Sequence, residues 1–368
     1  MTLSRRVSLG RIVAQGLVSA TAARSPLDAV ENLLALQGQQ ASAIPWAIGV
    51  RCVGVPRAQI SAAFDSGALV RSWPMRGTVH VTSGRDHHWL RRLLRHRRAA
   101  WERQASSLGL SDAIVERAAQ VACDLLEASP GGVSRAELVE AWENSGIDTV
   151  TASSSQAGLR RRHLVMRLHL DGVLAAGPLR AGEHLMVDAR GLPGAPGVAQ
   201  GESGHDEALA VLAARYAWGH GPIDEADLAR WTGLTLTEAR RALAGARVAG
   251  ENVGLPLAEC GGGLARADLA DLVEAARDEA EAMLALPSFD ELHVGYKDRS
   301  CLTDQAGEAL ICPAKNGMFR PIAVAGGRVV AVRAPGSQVV SVDGCGTYEE
   351  SARRAFGDWE KWLSETQR

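Results

Sequence analysis

Residues 224–247 constrain the fold more than any other stretch of this 368-residue chain. Apolar residues at helical spacing over 224–231 and 235–247 predict two helices, and Gly233 between them predicts a tight turn. Thr235 stands where the second helix needs an N-cap, because its hydroxyl can accept a hydrogen bond from a free backbone N–H. This order of elements is typical of a helix-turn-helix.

Two earlier stretches of the chain share one order of elements, helices followed by a β-hairpin, which predicts winged helices. In the first stretch, helices are predicted at 28–36, 57–64 and 85–104, and strands are predicted at 69–73 and 78–81. In the second stretch, helices are predicted at 112–128, 134–142 and 153–171, and a hairpin is predicted at 173–187. Ser134 and Glu137 have the spacing of a capping box, and the glycine- and proline-rich run 191–197 predicts a linker.

The last third of the chain changes character and predicts β-structure. Period-2 alternation predicts strands within 285–296, 308–312, 318–325 and 328–333. Gly326-Gly327 is a strong signal for a two-residue hairpin, and a helix is predicted at 348–363. The predicted fold class is therefore mainly α with β wings (α+β), as three tandem winged helix-turn-helix units plus a small β-rich C-terminal portion. The predicted domains are 1–108, 109–200 and 201–368.

Composition excludes several classes of protein. With 46% hydrophobic and 22% charged residues, the chain can bury a large core. It has no uncharged apolar run long enough to span a membrane, and its N-terminus lacks the apolar region of a signal peptide. The six cysteines form no Cys-x-x-Cys pair, which argues against a structural zinc site and fits a reducing compartment. We expect a cytoplasmic protein without metal or cofactor that binds no membrane.

Positive charge is clustered although the net charge is only −2. Helical spacing places basic residues on one face of each of three predicted helices: Arg91, Arg95 and Arg98; Arg160 and Arg167, with Arg161 beside them; Arg240 and Arg247. Such stripes suit contact with the phosphates of double-stranded DNA; solvated surfaces are the alternative. In the first predicted hairpin, Arg71, Arg76 and His80 are candidates for DNA contact, although Trp73 and His80 also suit packing of the wing.

Four segments carry a family resemblance: Leu36-Gln37-Gly38-Gln39, the run RSWPMRGTVH at 71–80, the acidic-to-basic stretch 289–299, and NGMFRP at 316–321. Together they resemble the AlkZ/YcaQ family of helix-turn-helix DNA glycosylases, and they span most of the chain. The resemblance implies three tandem winged helices and monofunctional removal of N7-alkylated purines, crosslinked ones included. It also implies that Gln37 and Gln39 are the active-site pair.

Two positions in that glutamine segment differ within the family. Family members tend to have an aliphatic residue where this chain has Gly38, so the loop geometry here is expected to differ. Many members have aspartate where this chain has Gln39. A glutamine there resembles the branch that acts on crosslinks and bulky adducts and is associated with azinomycin resistance.

The chemistry of two amides limits the substrates. A glutamine cannot take a proton at neutral pH, but its oxygen accepts a hydrogen bond and its NH2 group donates. An N7-alkylguanine is cationic and leaves as a neutral base, so it needs no general acid. Gln37 and Gln39 would then hold water at C1′ and stabilise positive charge on the sugar. Neutral lesions such as uracil are expected to be poor substrates.

Other charged residues permit two interpretations. Asp290, Glu291, Tyr296, Asp298 and Arg299 form either an acid–base site or a structural ion-pair network, and their crowding near a strand end favours the network. The adjacent pair His87-His88 lacks the spacing of a metal site.

Two other functions compete with the glycosylase. A winged-helix transcription regulator would bind DNA without chemistry, usually as a dimer; three units in one chain, which we expect to be a monomer, make this less natural. A module that binds other molecules independently of DNA is disfavoured by the basic stripes.

Overall fold

A computed structural model describes residues 2–95, 103, 105–149, 154–194 and 204–365. The chain divides into two compact units. Residues 1–60 group with 198–368 in what we call the terminal unit, and residues 61–197 form the central unit. Gln37 thus lies in a unit built from both ends of the chain. The division into three consecutive winged-helix domains stays a prediction.

Helices predominate, so the coarse expectation of a helix-rich mixed α and β fold is confirmed. The helices, in chain order, are α1 (Leu3–Ala14), α2 (Pro26–Leu33), α3 (Ile44–Gly49), α4 (Arg57–Asp65), α5 (Gly84–Leu93), α6 (Asp112–Ala128), α7 (Arg135–Asn144), α8 (Ser154–Asp171), α9 (His205–His220), α10 (Glu225–Thr232), α11 (Leu236–Asn252), α12 (Leu269–Ala275), α13 (Arg277–Glu281), α14 (Glu291–Val294), α15 (Gln305–Ile311) and α16 (Glu349–Glu365). Among the described residues, no helix has the length and apolar character needed to cross a membrane.

Short antiparallel strands complete the two units. They are β1 (Leu36–Gln37), β2 (Leu69–Met75), β3 (Thr78–Ser83), β4 (Leu174–Arg180), β5 (Glu183–Asp188), β6 (Leu257–Cys260), β7 (Gly263–Arg266), β8 (Leu284–Leu286), β9 (Ile322–Ala325), β10 (Arg328–Arg333) and β11 (Val339–Ser341).

The terminal unit has its main core between α1 and a sheet with the strand order β11-β10-β9-β8. Gly326 and Gly327, with φ of 57° and 78°, make the predicted two-residue turn between β9 and β10. On the same sheet, Trp46 donates to the carbonyl of Ala285 at 3.1 Å and stacks on Trp359 of α16. The α3 helix that follows the glutamine segment is thereby anchored to the sheet.

The predicted helix-turn-helix at 224–247 is confirmed as α10 and α11 of the terminal unit. Gly233 ends α10 with φ of 82°, a left-handed conformation that glycine adopts without steric cost. Thr235 caps α11 in a complete capping box with Glu238. The α9 helix packs along this pair, and the β6–β7 hairpin follows.

The central unit has a core of its own. Its strands lie in the order β3-β2-β4-β5, so the two predicted hairpins share one sheet. The α6–α8 helices cover an apolar cluster around Trp142, which is fully buried and donates to the carbonyl of Ala118 at 2.9 Å. Ser134 and Glu137 form the predicted capping box at the start of α7.

Three predicted elements were wrong. The strand predicted at 308–312 is helix α15, which begins after Asp304, whose side chain accepts from the N–H of Gly307 at 2.9 Å. The strand predicted within 285–296 is limited to β8, which ends at Leu286. The short helix α14 follows, because Asp290 caps a helical turn there. The helix predicted to reach residue 36 ends at Leu33. Short apolar runs do not separate strand from helix by periodicity alone. The helices predicted from the sequence do not include α1, α3, α9, α12 or α13.

Buried histidines in the central unit predict loss of stability in acid. Burial, aided by Arg71, lowers the pKa of His169 to about 3, well below the 6.5 of an unfolded chain. Unfolding therefore takes up a proton at pH values between 6.5 and about 3, and the stabilisation that is complete above pH 6.5 decreases by about 1.4 kcal/mol per pH unit below it. We expect the His169→Gln variant to take up about one proton fewer on unfolding, so that its free energy of unfolding depends less steeply on pH. Urea unfolding at pH 7, 6 and 5 measures this slope. An unchanged slope in the variant would show that His169 is not the group that titrates.

Candidate active site

A sharp turn leads from α2 into the Gln-Gly-Gln segment. Leu34 has φ of 63° and ψ of −44°, and the N–H of Ala35 donates to the carbonyl of Leu33 at 2.7 Å. This is a classic γ-turn, a rare and strained conformation for a residue with a side chain. Leu34 is fully buried. The surrounding core therefore fixes the direction in which the chain enters β1.

Gln37 is half-buried, whereas Gln39 is exposed on the same segment. The backbone N–H of Gln37 donates to Glu291 Oε2 at 3.0 Å. Its side-chain oxygen Oε1 is buried and accepts no hydrogen bond from any described residue. Gln37 is thus held through its backbone, and its buried amide oxygen lacks a donor among the described residues.

Glu291, which accepts the hydrogen bond from the Gln37 backbone, is buried with only 1% of its surface exposed. Trp231 Nε1 donates to its Oε1 at 2.7 Å, and His220 Nε2 lies 3.3 Å from the same oxygen. His220 ends α9 and Trp231 belongs to α10, so the helix-turn-helix unit itself supports this carboxylate. The ring of Tyr216 packs against both His220 and Trp231.

Asp290 belongs to a second buried network. Arg51 donates to both of its carboxylate oxygens, at 2.8 and 2.9 Å, in a bidentate ion pair. The same guanidinium donates to Gln15 Oε1 and to the carbonyl of Ala47, each at 2.8 Å. Gln15 in turn donates to the hydroxyl of Tyr296 at 2.9 Å. Burial raises the pKa of Tyr296, which keeps the phenol protonated.

The charged stretch 289–299 therefore makes mainly internal contacts. Besides Arg51–Asp290, Glu308 accepts from His293 at 3.0 Å and from Arg299 at 3.1 Å. These are the contacts of a structural ion-pair network, the interpretation that the sequence favoured over an acid–base site. The contact between Gln37 and Glu291 gives no signal in a single sequence, because 254 residues separate the partners.

The predicted DNA-binding residues differ widely in exposure. In the central unit, Arg95 is exposed, Arg71, Arg76 and Arg91 are half-buried, and His80 is fully buried. Burial lowers the pKa of Arg71 to about 10. Arg98 lies outside the described residues. The burial of His80, with its Nδ1 3.1 Å from the carbonyl of Thr78, is what the alternative of wing packing expects.

The basic stripe of α8 is largely engaged within the central unit. Arg167 is buried and donates to Asp171 at 2.6 Å. Arg160 donates to the carbonyls of Leu108 and Asp148, and Arg161 lies 3.4 Å from Glu143. Spacing on a helix places these residues on one face but does not reveal such partners.

Four of the predicted DNA-binding arginines line a small pocket of about 30 Å³, which is large enough to hold a water molecule. Its basic lining residues are Arg76, Arg91, Arg95 and Arg167. In the terminal unit, Arg240 and Arg247 are both exposed on α11, and Arg240 pairs with Glu225 at 3.1 Å.

Comparison with solved structures identifies the class of fold. The structure is similar to the Streptomyces sahachiroi DNA glycosylase AlkZ, with a TM-score of 0.66 and 20% sequence identity over 96% of each chain. Residues 30–357, which include both glutamines, match the family model for AlkZ-like DNA glycosylases. The chain therefore belongs to the AlkZ-like family and is a DNA glycosylase, as the sequence motifs predicted. No curated protein sequence matches the chain. Family membership favours the glycosylase over the transcription regulator and the DNA-independent module.

Proposed function

We propose that this protein is a monofunctional glycosylase that removes cationic N7-alkylated purines, including bulky adducts and interstrand crosslinks. The observation that carries the proposal is the buried Oε1 of Gln37, which accepts no hydrogen bond from the described residues. A buried acceptor without a donor costs about 1–3 kcal/mol. A water molecule that donates to this oxygen removes the cost, so Gln37 is suited to bind the attacking water.

The reaction needs little else from the protein. The water oxygen attacks C1′ of the damaged nucleotide, and the C1′–N9 bond breaks. The electron pair of that bond neutralises the cationic purine, which leaves as a neutral base, and the proton of the water passes to solvent. The Gln37 oxygen orients the water. The amide oxygen of Gln39 stabilises the positive charge that develops on the sugar, an electrostatic effect that is strong when the dipole is preorganised.

Three similar hairpins support the proposal of tandem winged-helix units. Each follows a set of helices, and each turns through two residues with positive φ: Arg76-Gly77, Ala181-Gly182 and Gly261-Gly262. Two-residue turns of this kind match the twist of the flanking strands. This repeated order of helices and hairpin supports a winged-helix assignment, and helix-turn-helix units of this kind bind double-stranded DNA.

We propose that DNA phosphates contact the basic residues that reach the surface. Arg95, Arg240 and Arg247 are exposed, and the arginine-lined pocket around Arg76 and Arg91 offers positive charge with a single carboxylate, Asp171, among its lining residues. Arginine guanidinium groups donate charge-assisted hydrogen bonds to phosphate oxygens. Arg71, His80, Arg160, Arg161 and Arg167 also remain candidates, although His80 and Arg167 are buried and Arg160 and Arg161 have partners within the central unit.

Base release from defined duplexes tests the proposed function. We expect the protein to create abasic sites in a duplex that contains one N7-methylguanine. A second duplex, with uracil at the same position, is expected to stay intact because uracil departs as an anion. Alkaline cleavage of an end-labelled strand measures both. Equal release of uracil would contradict the requirement for a cationic lesion. Absence of release from either duplex, together with specific binding to a promoter fragment, would favour the transcription regulator.

A further inference from the structure

Gln37 is fixed in place by a residue far away in the sequence. Its N–H donates to Glu291 Oε2 at 3.0 Å, while Trp231 and His220 contact the other carboxylate oxygen. Both oxygens of Glu291 are therefore engaged, one by the glutamine segment and the other by α9 and α10. Glu291 therefore connects the glutamine segment firmly to α9 and α10.

The glutamine segment needs such a restraint. It follows the strained turn at Leu34 and consists of a two-residue strand and a short irregular stretch. Strained backbone persists only where the surroundings determine it. Two features near the segment supply that determination: the apolar cluster of Leu33, Leu36 and Ala47, and the Glu291 contact to Gln37.

We propose that Glu291 is a positioning residue that acts through Gln37 and Gln39. It is almost fully buried and both of its oxygens are engaged, so it does not itself reach the substrate. Its role is to hold the backbone of Gln37 so that the side-chain oxygen points at the attacking water. This inference rests on the proposed role of the glutamines.

Glu291→Gln tests the proposal because the two side chains have almost the same size and shape. The N–H groups of Gln37 and Trp231 donate to different oxygens of the carboxylate, but an amide has one oxygen and an NH2 group. In the variant, the new NH2 group must face the N–H of either Gln37 or Trp231. This contact between two donors is unfavourable, so we expect the glutamine segment to shift. We expect the single-turnover rate of N7-methylguanine release to fall by about 10–100-fold, because a displacement of about 1 Å at a reacting centre can cost on the order of 10²-fold in rate, while DNA affinity stays unchanged.

A double-mutant cycle separates positioning from a general structural effect. If Glu291 acts through Gln37, its replacement has a smaller effect in the Gln37→Ala background than in the wild type. Asp227→Asn is the matched control, because Asp227 is a buried carboxylate of the same unit that pairs with Arg11 instead. We expect this control to lower stability and to leave the rate of base release unchanged in folded protein.

Two outcomes would overturn the proposal. One is a Glu291→Gln variant with the wild-type rate; the other is an equal loss of rate in both backgrounds of the cycle. If Glu291→Gln fails to fold, Trp231→Phe removes one donor and keeps the carboxylate, and it must show the same coupling to Gln37 with a smaller loss. Failure of the proposed function is distinct, because the wild type would then release no N7-methylguanine at all.

Discussion

Replacing Arg51 with methionine is expected to lower the free energy of unfolding by about 3–5 kcal/mol. Arg51 and Asp290 form a bidentate ion pair in which both side chains are at most 1% exposed. Removal of the guanidinium leaves the Asp290 carboxylate buried without its counter-charge, and it also removes the donors to Gln15 and Ala47. Urea unfolding at pH 7 measures the loss.

Two controls identify the cause of that loss. The double variant Arg51→Met, Asp290→Asn removes both charges and keeps an oxygen at the N-cap of α14, so it is expected to regain part of the stability. Arg353→Met breaks the exposed ion pair with Glu349 and is expected to cost about 0–1 kcal/mol. If Arg51→Met costs no more than Arg353→Met, the buried pair does not stabilise the terminal unit.

Gln37→Ala is expected to slow release of N7-methylguanine by about 10²–10³-fold, the typical effect of losing one preorganised electrostatic contact at a reacting centre. The variant loses the buried amide oxygen and keeps the backbone N–H that binds Glu291. The local fold and the affinity for DNA should therefore be preserved. Single-turnover kinetics with enzyme in excess isolate this chemical step from binding and product release.

Gln40→Ala provides a matched control within the same segment. Gln40 is an exposed glutamine three residues after Gln37, and its NH2 group donates to Ser42 at 3.1 Å. We expect this variant to release N7-methylguanine at the wild-type rate. Equal loss in Gln37→Ala and Gln40→Ala would indicate that the whole loop is perturbed and that Gln37 has no specific role.

Local signals predicted much of the secondary structure. Capping residues and turn residues act over three or four positions, so Thr235 with Glu238 and Ser134 with Glu137 marked true helix starts. Gly326-Gly327 marked a true hairpin for the same reason. Asp304 is also an N-cap, a local signal that indicates helix α15 in place of the predicted strand.

Long-range contacts were beyond reach of a single sequence. The family resemblance identified Gln37 and Gln39 as candidates, but no local pattern indicates that Glu291 contacts Gln37. Helical spacing likewise placed Arg160 and Arg167 on one face without revealing that carbonyl oxygens and Asp171 already bind them. Partners of this kind depend on tertiary packing.

The most direct test of the account is the double variant Gln37→Ala, Gln39→Ala on a duplex with one N7-methylguanine. Both the binding affinity and the single-turnover rate of base release are measured on the same DNA. We predict that the variant binds with wild-type affinity and releases the base no faster than the uncatalysed reaction. Release at the wild-type rate would contradict the account, because it would remove both glutamines from the mechanism.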